Sequence, residues 1–191
     1  MKNHLIISIR LTLVAMLVFG VAYPLIITGI ALVAAPNNGK GETVSVDGKI
    51  YGFETIGQSF GSDKYFHGRP SAVGYNAAAT GGSNKGPSNP DYLAEVEQRI
   101  TEFLAHNPTV KREDIPVDLV TASGGGLDPH ISPEGAHVQV ARIASVRGLD
   151  AVVVQNLVEK LTEKPLLGLI GPARVNVLKL NIALDELSSK K

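Results

Sequence analysis

An uncharged apolar run from Leu11 to Ala35 constrains this chain more than any other feature of its sequence. Arg10 precedes the run, and a turn of Pro, Asn, Gly and Lys (36–40) follows it. About 20 apolar residues are enough for a helix to cross a bilayer. The small residues at 33–35 would also suit a signal peptidase, but the apolar core of a signal peptide is only about 7–15 residues long. The sequence therefore predicts an uncleaved transmembrane helix over residues 11–35.

The charges that flank this run indicate its orientation. Lys2 and Arg10 lie before it, and Lys40 and Lys49 follow within the range that counts for the positive-inside rule. Arg10 adjoins the span directly and the tail before it is short, which favours a cytoplasmic N-terminus. We therefore expect residues 1–10 to be cytoplasmic and residues 41–191 to form an extracytoplasmic domain.

Pro24 lies in the middle of the predicted span, where it would free a backbone carbonyl and kink the helix. Gly20 and Gly29 lack side chains, so another helix could approach them closely. A lone anchor with ordinary transmembrane glycines explains the same residues equally well. Pro24, Gly20 and Gly29 are accordingly candidates for transmembrane packing.

Composition excludes several classes of function for the rest of the chain. Lys plus Arg equals Asp plus Glu at 18 each, so no basic field is present to hold nucleic acid. Cysteine is absent, which excludes disulfides and thiolate metal sites. Tryptophan is absent as well, which argues against a surface that stacks on bases or sugars. We expect no nucleic-acid partner and no tightly bound cofactor or metal.

Local patterns predict a small α+β domain. Alternation and an Asp-Gly pair predict a β-hairpin over 43–51. Helices are predicted to begin at the caps Asn89, Ser132 and Asp150. Strict alternation over Leu178–Leu184 predicts a strand with one buried face.

Two long loops, 57–90 and 122–132, separate these elements and are the places to look for chemistry. The glycine run in Ser123–Asp128 could cradle phosphate with its N–H groups, but no Walker lysine follows, and a structural turn is the more common use. His130 and His137 lack further metal ligands near them in sequence, and His130 is expected to bond the backbone of its own loop. No Gly-x-Ser-x-Gly elbow supports a hydrolase.

Several motifs, in the same order along nearly the whole chain, resemble the C subunit of the Kdp potassium-transporting P-type ATPase. They are Gly57–Phe60, Tyr65–Ser71, Tyr75-Asn76, Thr80–Pro90, Val120–Ser132 and Ala136–Arg147. Residue 125 departs from the pattern, since the family leads us to expect serine where Gly125 stands.

The resemblance implies a non-catalytic accessory subunit of an ATP-driven, high-affinity potassium import complex in the bacterial plasma (inner) membrane. Its partners would be a channel-like potassium-binding subunit, a P-type ATPase subunit and a small peptide subunit, besides membrane lipid. No Asp-Lys-Thr-Gly phosphorylation motif occurs in the chain, which agrees with a non-catalytic role. The family is described as a catalytic chaperone that raises the affinity of the pump subunit for ATP.

By resemblance, the matching nucleotide loop contains Ser123, Gly124, Gly125, Gly126 and Asp128, and ATP is the one cofactor implied. Residues of the two loops are also predicted to face a partner, or else to belong to a self-packed loop. They are Gln58, Arg69, Pro70, Tyr75, Asn76, Gly82, Ser83, Asn84, Asn89, Pro90 and His130.

The predicted orientation conflicts with direct ATP contact, because the bilayer would separate an outward domain from cytosolic ATP. We favour an indirect effect, in which the span packs on the channel-like subunit and the outer domain caps the potassium entrance. The alternative from another class is a stand-alone, membrane-anchored solute-binding or hydrolytic domain.

Overall fold

A computed structural model describes residues 2–189 of the chain. They form two compact units, one that ends at Glu42 and one that begins at Thr43. The observed combination of helices and short antiparallel strands confirms the α+β class.

The N-terminal unit is helical from Lys2 to Ala34, which is long and apolar enough to cross a membrane. It comprises α1 (Lys2–Leu17), a π-helical segment (Val18–Ala22) and α2 (Tyr23–Ala34). The helix therefore includes most of the tail that precedes the predicted span. It is the one candidate span within residues 2–189.

The backbone is irregular where Pro24 interrupts the hydrogen-bond ladder. The π-helical segment lies directly before it, and the Tyr23 N–H donates to the Val18 carbonyl, five residues back. The Thr28 hydroxyl donates to the Pro24 carbonyl at 2.8 Å. π-helical turns of this kind are rare and often mark functional positions in helices.

The second unit begins with the predicted hairpin. Strands β1 (Thr43–Val46) and β2 (Lys49–Phe53) pair antiparallel across Asp47 and Gly48. These two turn residues have φ values of +51° and +76°. Positive φ at both central positions is the type I′ geometry that Asp-Gly favours, so the hairpin prediction is confirmed.

Five α-helices and three short strands follow in the described part of the unit. The helices are α3 (Pro90–His106), α4 (Pro133–His137), α5 (Val140–Arg147), α6 (Ala151–Leu161) and α7 (Val177–Ser189). The strands are β3 (His130–Ile131), β4 (Thr162–Glu163) and β5 (Arg174–Asn176), in the antiparallel order β3-β5-β4.

The three predicted helix starts are confirmed by side-chain caps. Asn89 accepts hydrogen bonds from the Asp91 and Tyr92 N–H groups, Ser132 from Gly135, and Asp150 from Val152. Each cap satisfies backbone donors that the first turn of a helix leaves unpaired.

The core lies where α4 to α7 pack on β3 and β5. Its fully buried members are Phe66, Ala136, Ile143, Val154, Val158, Val175, Leu180 and Leu184. Phe66 comes from the long loop before α3, so that loop is anchored in the core.

The predicted strand over Leu178–Leu184 is wrong, because these residues lie in α7. Leu178, Leu180, Asn181, Ile182 and Leu184 are all buried. A helix that is buried on several sides carries apolar residues at adjacent and alternate positions, so its period is masked. Lys179, Asn181 and Ala183 stand between the large apolar residues and completed a false alternation.

Candidate functional site

The two long loops that the sequence singles out lie against each other through backbone hydrogen bonds. The Gly57 N–H donates to the Leu127 carbonyl at 2.8 Å, and the Gly81 N–H donates to the Gly125 carbonyl at 3.1 Å. In the other direction, the Ser123 N–H donates to the Pro70 carbonyl at 3.1 Å. We call this contact between residues 57–82 and 123–128 the loop interlock.

Glycines allow the close approach at three points of the loop interlock. A Cβ at Gly57 would lie 2.5 Å from the Asp128 carbonyl oxygen, and one at Gly82 would lie 2.8 Å from that of Gly124. Gly126 has φ +71°, and a Cβ there would lie 2.6 Å from Val73. No side chain fits at these distances without movement of the backbone or of a packed neighbour.

Gly124 and Gly125 differ from these three glycines. A Cβ at either position would meet nothing within 4 Å, and both residues are exposed. Serine, which the resemblance leads us to expect at residue 125, would fit there without strain. The exposed tip of this loop therefore consists of two residues.

The remainder of Ser123–Asp128 is committed to internal contacts. Ser123 is only 3% exposed, and the Gly126 N–H closes a turn on the Ser123 carbonyl at 3.2 Å. A phosphate nest needs several consecutive free N–H groups, whereas those of Ser123 and Gly126 are already bonded. The contacts favour the structural turn, and nucleotide binding at Ser123, Gly124, Gly125, Gly126 and Asp128 stays a prediction.

Asp128 holds an ion pair at the edge of the loop interlock. Its carboxylate accepts a hydrogen bond from Arg69 Nη1 at 3.1 Å and another from the His130 N–H at 2.9 Å. Burial alone would raise the pKa of Asp128, but the hydrogen bonds from His130 and Arg69 outweigh it and lower the pKa to about 2. Asp128 is thus an anion that fixes Arg69, not an acid–base group for neutral pH.

The expectation for His130 is wrong in one respect. Its ring Nδ1 lies 3.6 Å from the Asp128 carboxylate, so the imidazole faces a side chain of its loop and not the backbone. The short two-residue spacing allows the same carboxylate to meet both the main chain and the ring of His130. Among residues 2–189 no group of three His, Asp or Glu side chains could hold a metal ion.

Ser71 and Tyr75 connect the loop interlock to the chain around Arg69. The Ser71 hydroxyl donates to the Gly126 carbonyl at 2.6 Å and accepts from the Tyr75 N–H at 2.9 Å. The Tyr75 hydroxyl donates to the Arg69 carbonyl. Burial, with a smaller contribution from Asp128, raises the pKa of the Tyr75 hydroxyl, so it stays a neutral donor.

The structure therefore brings together only some of the residues predicted to face a partner. Arg69, Pro70, Tyr75, Gly82 and His130 lie at the loop interlock and make internal contacts. Asn76 and Asn84 are exposed, and Ser83 is half-buried. Gln58 lies against Gly52 of β2, while Asn89 and Pro90 begin α3. Whether any of them contacts a partner stays a prediction.

Comparison with known proteins agrees with the family resemblance of the sequence motifs along nearly the whole chain. A family model described as "KdpC: K+-transporting ATPase, c chain" matches residues 5–186. A potassium-transporting ATPase KdpC subunit of Flavobacterium johnsoniae is 57% identical over 187 residues, which is 98% of this chain and 100% of that protein. The chain belongs to the KdpC family.

Two further relatives carry the same name. The protein of Bacteroides fragilis is 52% identical over 185 residues, 96% of this chain and 97% of its own length. That of Caldanaerobacter subterraneus subsp. tengcongensis is 52% identical over 179 residues, 94% of this chain and 93% of its own length. As a KdpC-family member, the chain is an accessory subunit of a potassium-transporting P-type ATPase complex.

Two buried amides that sequence reasoning missed hold the KdpC-family chain at Phe66 and His67. Asn181 of α7 accepts from the Phe66 N–H at 2.8 Å and donates to its carbonyl at 3.0 Å. Gln139, just before α5, accepts from the His67 N–H at 2.8 Å and donates to its carbonyl at 3.2 Å. We call this arrangement the amide clamp. It anchors the loop that supplies Gly68 to Ser71.

Arg142 reinforces the amide clamp from α5. It is 7% exposed and donates to the Gln139 and Asn107 side chains at 2.7 and 2.9 Å, and to the Tyr65 carbonyl at 3.0 Å. The signal in the sequence for this network is that Arg142 and Asn181 interrupt apolar segments of α5 and α7. The false strand over Leu178–Leu184 hid the contribution of Asn181.

Proposed function

We propose that this chain is a non-catalytic accessory subunit that assembles with the channel-like, ATP-hydrolysing and small peptide subunits of a high-affinity potassium import complex. In that complex it supports ATP binding by the pump subunit as a chaperone. The family match over residues 5–186 carries the proposal. The apolar helix from Lys2 to Ala34 supports a site of action at a membrane.

We further propose that the N-terminus is cytoplasmic and that the domain over residues 41–191 lies outside the plasma membrane. Support comes from Arg10, which adjoins the apolar stretch, and from the short tail before it. On this arrangement the domain caps the potassium entrance of the channel-like subunit.

The effect on ATP binding would then be indirect. The bonded N–H groups of Ser123 and Gly126 support this view, because they leave a two-residue tip instead of a phosphate nest. The helix offers a route for coupling, since Cβ atoms at Gly20 and Gly29 would meet nothing within 4 Å. A helix of the channel-like subunit could approach closely at these two glycines, on either side of Pro24.

Affinity purification from the native membrane tests the assembly. With a tag on the full chain, we expect a P-type ATPase subunit and a channel-like subunit to co-purify in fixed ratio. Purified alone, the chain should show no ATP hydrolysis and no solute binding. Recovery of the chain without other subunits, together with binding or turnover of its own, would instead establish the stand-alone domain.

Cysteine labelling tests the orientation, since the chain has no native cysteine. Ser88 in the long loop and Asn3 near the N-terminus are both exposed, so Ser88→Cys and Asn3→Cys are a matched pair. In cells whose outer envelope admits the reagent but whose plasma membrane is intact, a membrane-impermeant maleimide should label Ser88→Cys and not Asn3→Cys. Labelling of Asn3→Cys alone would show the opposite orientation.

A further inference from the structure

A tight hairpin between β4 and β5 exposes four large aliphatic side chains. Leu166 and Ile170 exchange backbone hydrogen bonds of 2.9 and 3.0 Å, which fixes the turn between them. Leu167 and Leu169 at its tip are 84% and 89% exposed, the highest values for large apolar residues in the described part of the second unit. We call residues 165–172 the apolar hairpin.

The apolar hairpin forms one wall of a cleft of about 1060 Å³. The segment 113–118 also lines the cleft, and its Val117 is 70% exposed. Leu166 and Ile170 of the hairpin and Val117 of the other segment therefore give the cleft an apolar lining. Fully burying one such side chain on binding contributes about 1.5–3 kcal/mol of favourable free energy. An exposed apolar surface of this kind is typical of a site that a partner covers.

The charges that line the cleft are unbalanced. Asp128 is paired with Arg69, and Glu163 with Arg174. Of the other lining residues, the carboxylates Glu113, Asp114, Asp118 and Glu134 have no ion pair within the described residues, although Asp118 accepts hydrogen bonds from Ser132. Lys164 is the one lining cation without a pair there. The cleft thus combines apolar lining residues with surplus negative charge.

We propose that this cleft is a docking surface for a segment of another subunit of the transporter that carries both aliphatic and Lys or Arg side chains. Charge complementarity selects this occupant. An anionic lipid surface would meet the same apolar hairpin, but Glu113, Asp114 and Glu134 would then face its headgroups and be repelled. The inference rests on the accessory role proposed above, because it needs a partner subunit.

Site-specific photo-crosslinking in the assembled complex tests this docking. Leu169 is replaced with p-benzoylphenylalanine in the full chain, and Val152, which is 61% exposed on α6, serves as the matched control position. After irradiation of native membranes, Leu169 should crosslink to a peptide of another subunit that contains aliphatic and basic residues. A crosslink to lipid alone, or no yield above that of Val152 in an assembled complex, would overturn the proposal.

Charge reversal provides the second arm. The Glu113→Lys/Asp114→Lys variant should reduce the crosslink at Leu169 by about tenfold or more, whereas Glu159→Lys on α6 should leave it unchanged. Equal yields in the two variants would contradict the role of charge. If no P-type ATPase co-purifies with the chain, the accessory role itself fails, and this outcome is distinct from an assembled complex without the crosslink.

Discussion

Replacing Gly57 with alanine is expected to destabilise the second unit by about 2–3 kcal/mol. The new Cβ would lie 2.5 Å from the Asp128 carbonyl oxygen and 2.9 Å from its carbonyl carbon. Both atoms belong to the backbone, so no side chain can rotate away to make room. The loop interlock must therefore open or shift, and the hydrogen bond from Gly57 to Leu127 would be lost with it.

Gly125→Ser is the matched control for Gly57→Ala. It adds a larger side chain to a glycine of the same loop interlock, but into open space. Urea unfolding of the full chain in detergent, followed by circular dichroism, should show a lower midpoint for Gly57→Ala and a midpoint near that of the parent for Gly125→Ser. Equal midpoints for the two variants would show that the loops do not approach as closely as described.

Asn181→Leu should have a similar or larger effect, about 2–4 kcal/mol, through the amide clamp. Asn181 is 2% exposed, and leucine has the same branched shape but is larger and can neither accept from the Phe66 N–H nor donate to its carbonyl. Two buried backbone groups would lose their partners without access to water. A buried polar group left unsatisfied costs about 1–3 kcal/mol.

Gln139→Leu extends this test to His67, and Asn156→Leu on the exposed face of α6 is the control. Thermal unfolding of the full chain should rank the two clamp variants well below the control. The double variant should cost less than the sum of the single ones, because both act on the same short segment. If Asn181→Leu lowered the unfolding temperature no more than Asn156→Leu, the amide clamp would not contribute to stability.

Features of the fold that depend on adjacent residues were predictable from sequence. Asp47-Gly48 adopts the turn that its residue types favour, and Asn89 and Asp150 cap the helices that they precede. In each case the deciding hydrogen bond or dihedral angle lies within three residues. Local chemistry alone is sufficient there.

Features that depend on distant residues were not predictable. Asn181 meets Phe66 across 115 residues, and Gln139 meets His67 across 72. Such pairings bury residues that would otherwise lie on the surface. They therefore also change how a pattern of apolar and polar residues should be interpreted. The alternation of Leu178–Leu184 belongs to a helix that neighbouring elements bury on several sides.

The sequence located the candidate site but did not reveal the contacts within it. The glycine run and the long loop were both recognised as unusual, and a structural turn was already the favoured interpretation of Ser123–Asp128. Which glycines permit close approach could not be read from their spacing. Gly126 needs its positive φ and lies against Val73, whereas the adjacent Gly125 is open.

The indirect effect on ATP binding is tested most directly at the exposed tip of the loop interlock. Gly125→Asp adds a carboxylate at a position where a Cβ would meet nothing within 4 Å, so the fold and assembly should be preserved. In the assembled complex we expect the dissociation constant of the pump for ATP to stay within about twofold of the parent value. A loss of about tenfold or more with normal assembly would mean that nucleotide phosphates meet this loop directly, and would contradict the account.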